Sequence, residues 1–394
     1  MSLDLASLLP QLEAMGQTTA RRAQEHAELM PRVKRALKQA AQQPPEELRE
    51  RVRRAGDRWS GAEPTREPVD ASIAAPPLPE RLTVLGADGS QVEPDRHAPA
   101  LFYLINIGSI ALTIGSTEPP SAHSHPTLHF EDEDLHPQDA GLIPSEFVKA
   151  RRDIAELGEL ARLAQLNAGE ETLALLDNGL LLWLALQARE LSSREVERAL
   201  DEYYSQLSAL HSAQAAVAGF VDRPQNGNVL ALLHLASLPV EAINEDTVRA
   251  NPFRRLSDRE LFADLLPAGY RSALFVHVSP VNQAFSDAGH PMHFFYLNTG
   301  PQAQIARVEI PGWVAEDARL LARVHAGILQ QCQTTGGFPY ALVRAHELAV
   351  VGPKERQALE ETLSDALLRA GIFSRRSLKS QTKRWTTHPR RHRL

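Results

Sequence analysis

From Arg81 onward, short apolar runs of strand length alternate with helical patterns, and few architectures accept that alternation. Residues 82–87, 172–176, 217–221, 272–278, 292–297 and 308–310 read as strands. Between them, residues 145–166 space Phe147, Ile154, Leu157, Ala161 and Ala164 along one helical face. A second helix runs from Ser192 to about Gly219, opened by a capping box of Ser192 and Glu195. Residues 319–333 and 340–359 read as two more helices. The pattern predicts an α/β core with a mixed sheet. Within it, residues 100–107 and 109–114 read as a tight hairpin about Gly108, and 116–141 as a His-rich, acidic loop.

The ends of the chain differ from this core. Residues 1–60 read as a helical arm, with Leu5, Leu8, Leu9, Leu12 and Met15 at helical spacing but little else to bury. Pro44-Pro45 breaks the arm, and 61–80, dense in Pro and Ala, reads as a linker. Residues 81–365 then form the main domain, with a helical insertion at about 188–217. The net charge of −7 is unevenly spread: nine Lys or Arg and no acid lie between Ala366 and the last residue. Arg375, Arg376, Lys379, Lys383 and Arg384 belong to that basic tail (366–394), and Trp385 sits among them. A basic tail with an aromatic suits phosphate contact and base stacking.

Several function classes are excluded. The longest apolar run, 180–186, is far short of the roughly 18 residues of a membrane span. No signal-peptide pattern opens the chain, and one cysteine, Cys332, rules out a disulfide framework or a Cys-rich zinc finger. No Gly-x-x-x-x-Gly-Lys loop marks an ATPase, and no Gly-x-Ser-x-Gly elbow marks a serine hydrolase. The expectation is a soluble, cytoplasmic protein.

Two of the strands end in an aspartate: Asp88-Gly89-Ser90 and Asp177-Asn178-Gly179. Taken alone, each is an ordinary turn. Together, acids at the ends of neighbouring strands bring oxygen ligands within reach of one hard cation, Mg²⁺ or Mn²⁺. Glu156 and Glu159 on the following helix could each turn toward Asp177, and His346 could ligate a metal or carry a proton. His123, His125, His129 and His136, with the acids 131–134, form a rival metal motif, but nothing in that stretch fixes a geometry.

The order of these segments resembles the NurA family, from about Leu82 to Leu359. The resemblance is carried by Ala87-Asp88-Gly89-Ser90-Gln91, Leu175-Leu176-Asp177-Asn178-Gly179 and Gly219-Phe220-Val221-Asp222-Arg223-Pro224. Arg307-Val308-Glu309-Ile310-Pro311 and Gly337-Phe338-Pro339-Tyr340, followed by Ala345-His346-Glu347, complete it. It implies an RNase H-like mixed sheet flanked by helices and a Mn²⁺-dependent deoxyribonuclease, with Mg²⁺ as the alternative metal. It also implies cutting from 5′ ends and within single strands, a homodimer, and work with a HerA-type hexameric translocase in DNA end resection. Carried over, Asp88, Asp177, His346 and a helical glutamate, Glu156 or else Glu159, are the catalytic and metal-binding set. Arg96, Arg223 and Arg307, with the basic tail, are the candidates for gripping DNA phosphates. Two departures from the family pattern stand out: the glycine after Asp177 is displaced by one, and Phe338 stands where a tyrosine is common. The other class of reading is a catalytically inactive clamp that binds DNA for a translocase.

Overall fold

The computed structural model describes residues 4–56, 59–96, 98–137, 141–182 and 193–372. The basic residues from Arg375 onward, Ser192 of the expected capping box and the start of the expected insertion lie outside the described residues. The chain divides into two compact units. Elements are numbered in chain order.

The second unit comprises 79–177, 182–217 and the residues from Tyr340 on. Its strands are β3 (Leu82–Val92), β4 (Tyr103–Ile114), β5 (Ser121–His129) and β6 (Thr172–Asp177). They lie in the order β5-β4-β3-β6, with β3 antiparallel to β4, β4 antiparallel to β5, and β3 parallel to β6. Three antiparallel strands whose first member pairs in parallel with a fourth give the RNase H-like arrangement. Its helices are α3 (Asp132–Leu135), α4 (Ser145–Leu166), α5 (Ser193–Ser212), α12 (Tyr340–Ala349) and α13 (Pro353–Arg369). The apolar stripe of α4, including Ile154, Leu157, Leu160 and Ala161, is buried as its spacing predicts.

Four local expectations change. Asp88-Gly89-Ser90 is no turn: β3 runs through it, because β4 supplies a partner for each residue, Asp88 opposite Gly108. For the same reason Gly108 is not a hairpin tip but the middle of β4. The His-rich stretch is not a loop throughout, since its centre pairs with β4 as the edge strand β5. The last helix is two, α12 and α13, parted at Gly352-Pro353, where proline cannot continue a helix.

Gly108 is there for packing. A Cβ on it would sit 2.2 Å from the Ala345 carbonyl oxygen, and one on Gly86 2.8 Å from that of Ala341. The two glycines thus let α12 lie directly on β3 and β4. Asn106 Nδ2 and Ser90 Oγ donate to the Ala349 carbonyl at 2.8 and 2.5 Å, satisfying the helix end and fixing its register on the sheet.

The first unit holds the rest: α1 (Leu9–Ala41), α2 (Pro45–Arg54), β1 (Gly61–Pro64), β2 (Ser72–Ile73), most of β7 (Ala216–Val221), α6 (Asn228–Ser237), α7 (Glu245–Arg249) and α8 (Asp258–Ala263). It continues with β8 (Arg271–Ser272), β9 (Phe275–Val278), α9 (Pro280–Asp287), β10 (Met292–Asn298), β11 (Ile305–Pro311), α10 (Gly312–Glu316) and α11 (Ala318–Thr335). Its sheet runs β1-β9-β10-β11-β7, antiparallel throughout. The stretch expected as linker thus contributes two short strands, since β1 finds β9 and β2 finds β8. α1 has more to bury than its polarity suggests: Val33, Ala36, Leu37 and Ala40 join the core with Val229, Leu233 and Phe262. Its first turns leave Leu9, Leu12 and Met15 exposed, as is Leu5 ahead of it.

Candidate active site

Register places two acids side by side. The parallel pairing ends with Ala87 beside Leu176, so the next residues, Asp88 and Asp177, occupy matching positions on adjacent strands. Side chains at matching positions point to one face of the sheet. Asp88 is held further by His346, whose Nδ1 lies 2.7 Å from Asp88 Oδ2. The histidine reaches it because α12 rests on the glycines of β3 and β4.

The third acid comes from α4. Glu156 is 6% exposed, and burial raises its pKa well above the ordinary carboxylate value. The charges of Asp153, Asp88 and Asp177 push the same way, against the nearby Arg152. Gly89 makes room for this: a Cβ on it would lie 2.7 Å from Glu156 Oε1 and 2.6 Å from Arg152 Cγ. Asp153, whose pKa burial also raises, feels the Asp88 charge as well.

A cation of the same helix, Arg152, faces these acids. Arg152 sends Nε to within 3.1 Å of Glu156 Oε1, and donates at 2.7 Å to Asp153 Oδ1 and at 2.9 Å to Gln91 Oε1. Arg152 and Asp153 escape a search for strand-end acids. Their signal is helical spacing, four and three residues before Glu156.

The two helical glutamates have different surroundings. Glu159 accepts from Ser109 Oγ at 2.6 Å and from Arg162 at 2.7 Å. Its pKa is lowered: burial opposes the shift, and the Arg162 and Ser109 hydrogen bonds overcome it. Asp88 and Asp177 act electrostatically on Glu156. Among the described residues no three His, Cys, Asp or Glu side chains are already arranged around a metal-sized gap. The donor chemistry nonetheless fits a hard cation: three carboxylates, one of them with a pKa raised by burial and then by the charges around it, beside a glycine that keeps the space open. The rival histidines divide: His123 and His125 stack at 5.7 Å on the edge strand, while His129 stacks on Tyr103.

The expected phosphate ligands fare unequally. Arg96 and Arg223 are exposed. Arg307 is not at a phosphate: it is 1% exposed, with Nε donating to Glu309 Oε1 at 2.8 Å and Nη1 to Asn228 Oδ1 at 2.9 Å. Its guanidinium carbon lies 3.7 Å from the Phe294 ring centroid. Glu309 also accepts from the Leu180 N–H at 2.9 Å, and a Cβ on Gly179 would come within 2.5 Å of Glu309 Oε2. This accounts for the displaced glycine: Asn178 takes the left-handed turn (φ 80°), and Gly179 gives Glu309 its close approach.

A NurA domain family model matches residues 82–351. Among solved structures, the chain is similar to the NurA nuclease from Sulfolobus solfataricus, with 12% identity, a TM-score of 0.48, and coverage of 90% of this chain and 98% of that one. A NurA structure bound to dAMP and manganese matches at 12% identity and a TM-score of 0.36, covering 75% of this chain and 90% of that one. The catalytic domain of human endonuclease V matches at 15% identity and a TM-score of 0.32, covering 82% and 99% respectively. No curated protein matches.

Proposed function

The chain belongs to the NurA family, a nuclease family, and from that premise we propose that it is a metal-dependent deoxyribonuclease whose centre is Asp88, Glu156 and Asp177. The observation that carries the reading is the placement of Asp88 and Asp177 at matching positions on β3 and β6, with the buried Glu156 of α4 close enough to Gly89 to need its missing side chain. Mn²⁺, or Mg²⁺ in its place, is the cofactor these oxygens would hold. Bound there, it supplies Lewis-acid activation of water and neutralises charge at the cleaved phosphodiester.

The chain's own residues do the positioning. Asp88 and Asp177 sit on paired backbone, so their carboxylates keep a fixed spacing as substrate arrives. Glu156 is held by Arg152 and by its burial on α4. His346, beside Asp88 and 65% exposed at its side chain, is open to solvent and able to donate a proton to the departing 3′ oxygen. Arg96, Arg223 and the basic residues Arg375, Arg376, Lys379, Lys383 and Arg384 contribute sequence-independent attraction for DNA.

The finer reading follows the family. The enzyme works in the cytoplasm as a homodimer, cuts from 5′ ends and within single strands, and serves DNA end resection with a HerA-type translocase. No helix among the described residues is long and apolar enough to cross a membrane.

The test is cleavage of end-labelled duplex and single-stranded DNA by the purified chain and by Asp88→Ala. Wild type should cut with Mn²⁺ and stop with EDTA, and the variant should lose at least about a hundredfold in rate. A wild type that binds DNA but never cuts, with or without a translocase, would replace this reading with the clamp.

A further inference from the structure

The first unit carries a cleft of about 370 Å³ that the carboxylate centre does not use. Its wall is built from the turn after β7, with Asp222 and Arg223, from the loop joining β10 to β11, and from the loop after α11. Arg259 of α8 closes it. The last two loops are tied together, since the Thr299 hydroxyl donates to the Gly337 carbonyl at 2.9 Å. Gly337 stands at φ 130°, and a Cβ there would lie 2.1 Å from Gln304 Oε1, so only glycine lets that amide lie across the loop. Arg223 at φ 47° and Ala303 at φ 52° hold backbone conformations that residues with side chains rarely adopt.

The polar groups of the wall point to one kind of ligand. Neither Arg223 nor Arg259 forms an ion pair among the described residues, and Arg259 Nε is buried with no hydrogen-bond partner. Among the described residues of the wall Asp222 is the only acid, against two arginines, so the wall carries a net positive charge. Two guanidiniums with free donors match the oxygens of a phosphodiester. Phe338, half-buried and packed edge-on against Phe220 at 5.3 Å, offers a ring for a base, and Gln304 an amide for its edge.

We propose that this cleft binds one nucleotide of a single DNA strand, with its phosphate on Arg223 and Arg259 and its base against Phe338. The choice of DNA rests on the nuclease reading; the residues are distinct from the carboxylate centre. Strand binding then does not depend on the metal, and the two can be separated.

The test is fluorescence anisotropy of a labelled oligothymidylate with the full chain in EDTA, over a series of salt concentrations. Arg223→Gln and Phe338→Ala should each raise Kd about fivefold or more. Arg223→Gln should also lower the log–log salt slope by about 0.7, the value for one lost contact to single strands, while Phe338→Ala leaves the slope alone. Arg259→Lys, which keeps the charge but not the fork, should weaken binding while melting at the wild-type temperature. If wild type binds and cuts DNA while Arg223→Gln and Phe338→Ala match it in Kd and slope, the cleft is not a nucleotide site. If wild type neither binds DNA nor cuts it with Mn²⁺, the nuclease reading itself falls, and this site falls with it.

Discussion

Arg307 shows how little a residue's type says about its task until its neighbours are known. A guanidinium in a family motif reads as a phosphate ligand, yet this one is committed to Glu309, Asn228 and the face of Phe294. Removing Glu309 would leave a buried cation without its counter-charge, which costs about 3 to 5 kcal/mol in comparable pairs. Glu309→Ala should therefore lower the urea midpoint sharply, and adding Arg307→Met should recover part of the loss by removing the stranded charge. Recovery would distinguish a desolvation penalty from simple loss of packing. The acids were easier to read. Asp88 and Asp177 each close an apolar run, and that much is visible in one dimension. Arg152 and Asp153 were not visible in the same way, because an exposed helix face carries similar residues for no purpose beyond solubility.

At the scale of elements, glycine in a strand is ambiguous in the sequence and decided by what lies above it. Gly108 reads as a hairpin tip between two apolar runs and proves to be the floor on which α12 rests. Gly108→Ala would drive a methyl into backbone atoms of Ala345 and Ala349, so the helix must lift. Overpacking of this kind costs about 1 to 3 kcal/mol, and His346 rides on the displaced helix. The expected result is a lower melting temperature together with a loss of cleavage greater than the loss of folded protein, read by circular dichroism beside the nuclease assay. A variant that melts lower but cuts at the wild-type rate per folded molecule would separate α12 from the chemistry. β5 teaches the complementary lesson: its composition is that of a loop, and it is a strand because β4 offers a free edge.

For the whole molecule, buried titratable groups set the response to acid. His277 and His325 are 4% and 1% exposed, and burial first, then nearby arginine charge, holds both at about 4; Glu309 beside His277 and the Gly269 hydrogen bond to His325 pull the other way. Each is neutral in the fold and protonates more readily once unfolded. Their contribution is therefore complete above the ordinary histidine value near 6.5 and is lost as pH falls toward 4. Within that window each histidine removes about 1.4 kcal/mol of stability per pH unit. Asp258 works in the opposite sense: burial raises it to about 6 despite its three hydrogen-bond donors and the Arg307 charge, so acid favours its folded form between about 6 and its ordinary value. The net expectation is a stability that declines below pH 6.5. His325→Gln, which can still donate to the Gly269 carbonyl, should flatten that decline by one proton's worth in a series of denaturant titrations.

What the sequence determined by itself is what local pattern can encode: the α/β class, the helix at 145–166, the aspartates that follow two apolar runs and the family they belong to. Hydrophobic period and residue order are properties of neighbouring positions, so they survive without coordinates. The tertiary structure decided what depends on contact across distance. It ran β3 through a turn dipeptide, turned a linker into strands β1 and β2, packed the last turns of α1 into the core, set Glu156 rather than Glu159 among the charges of Asp88 and Asp177, and withdrew Arg307 into the core. In each case the deciding partner lies far along the chain, and the free energy of pairing, packing or desolvation with it outweighs the local preference of the residues themselves.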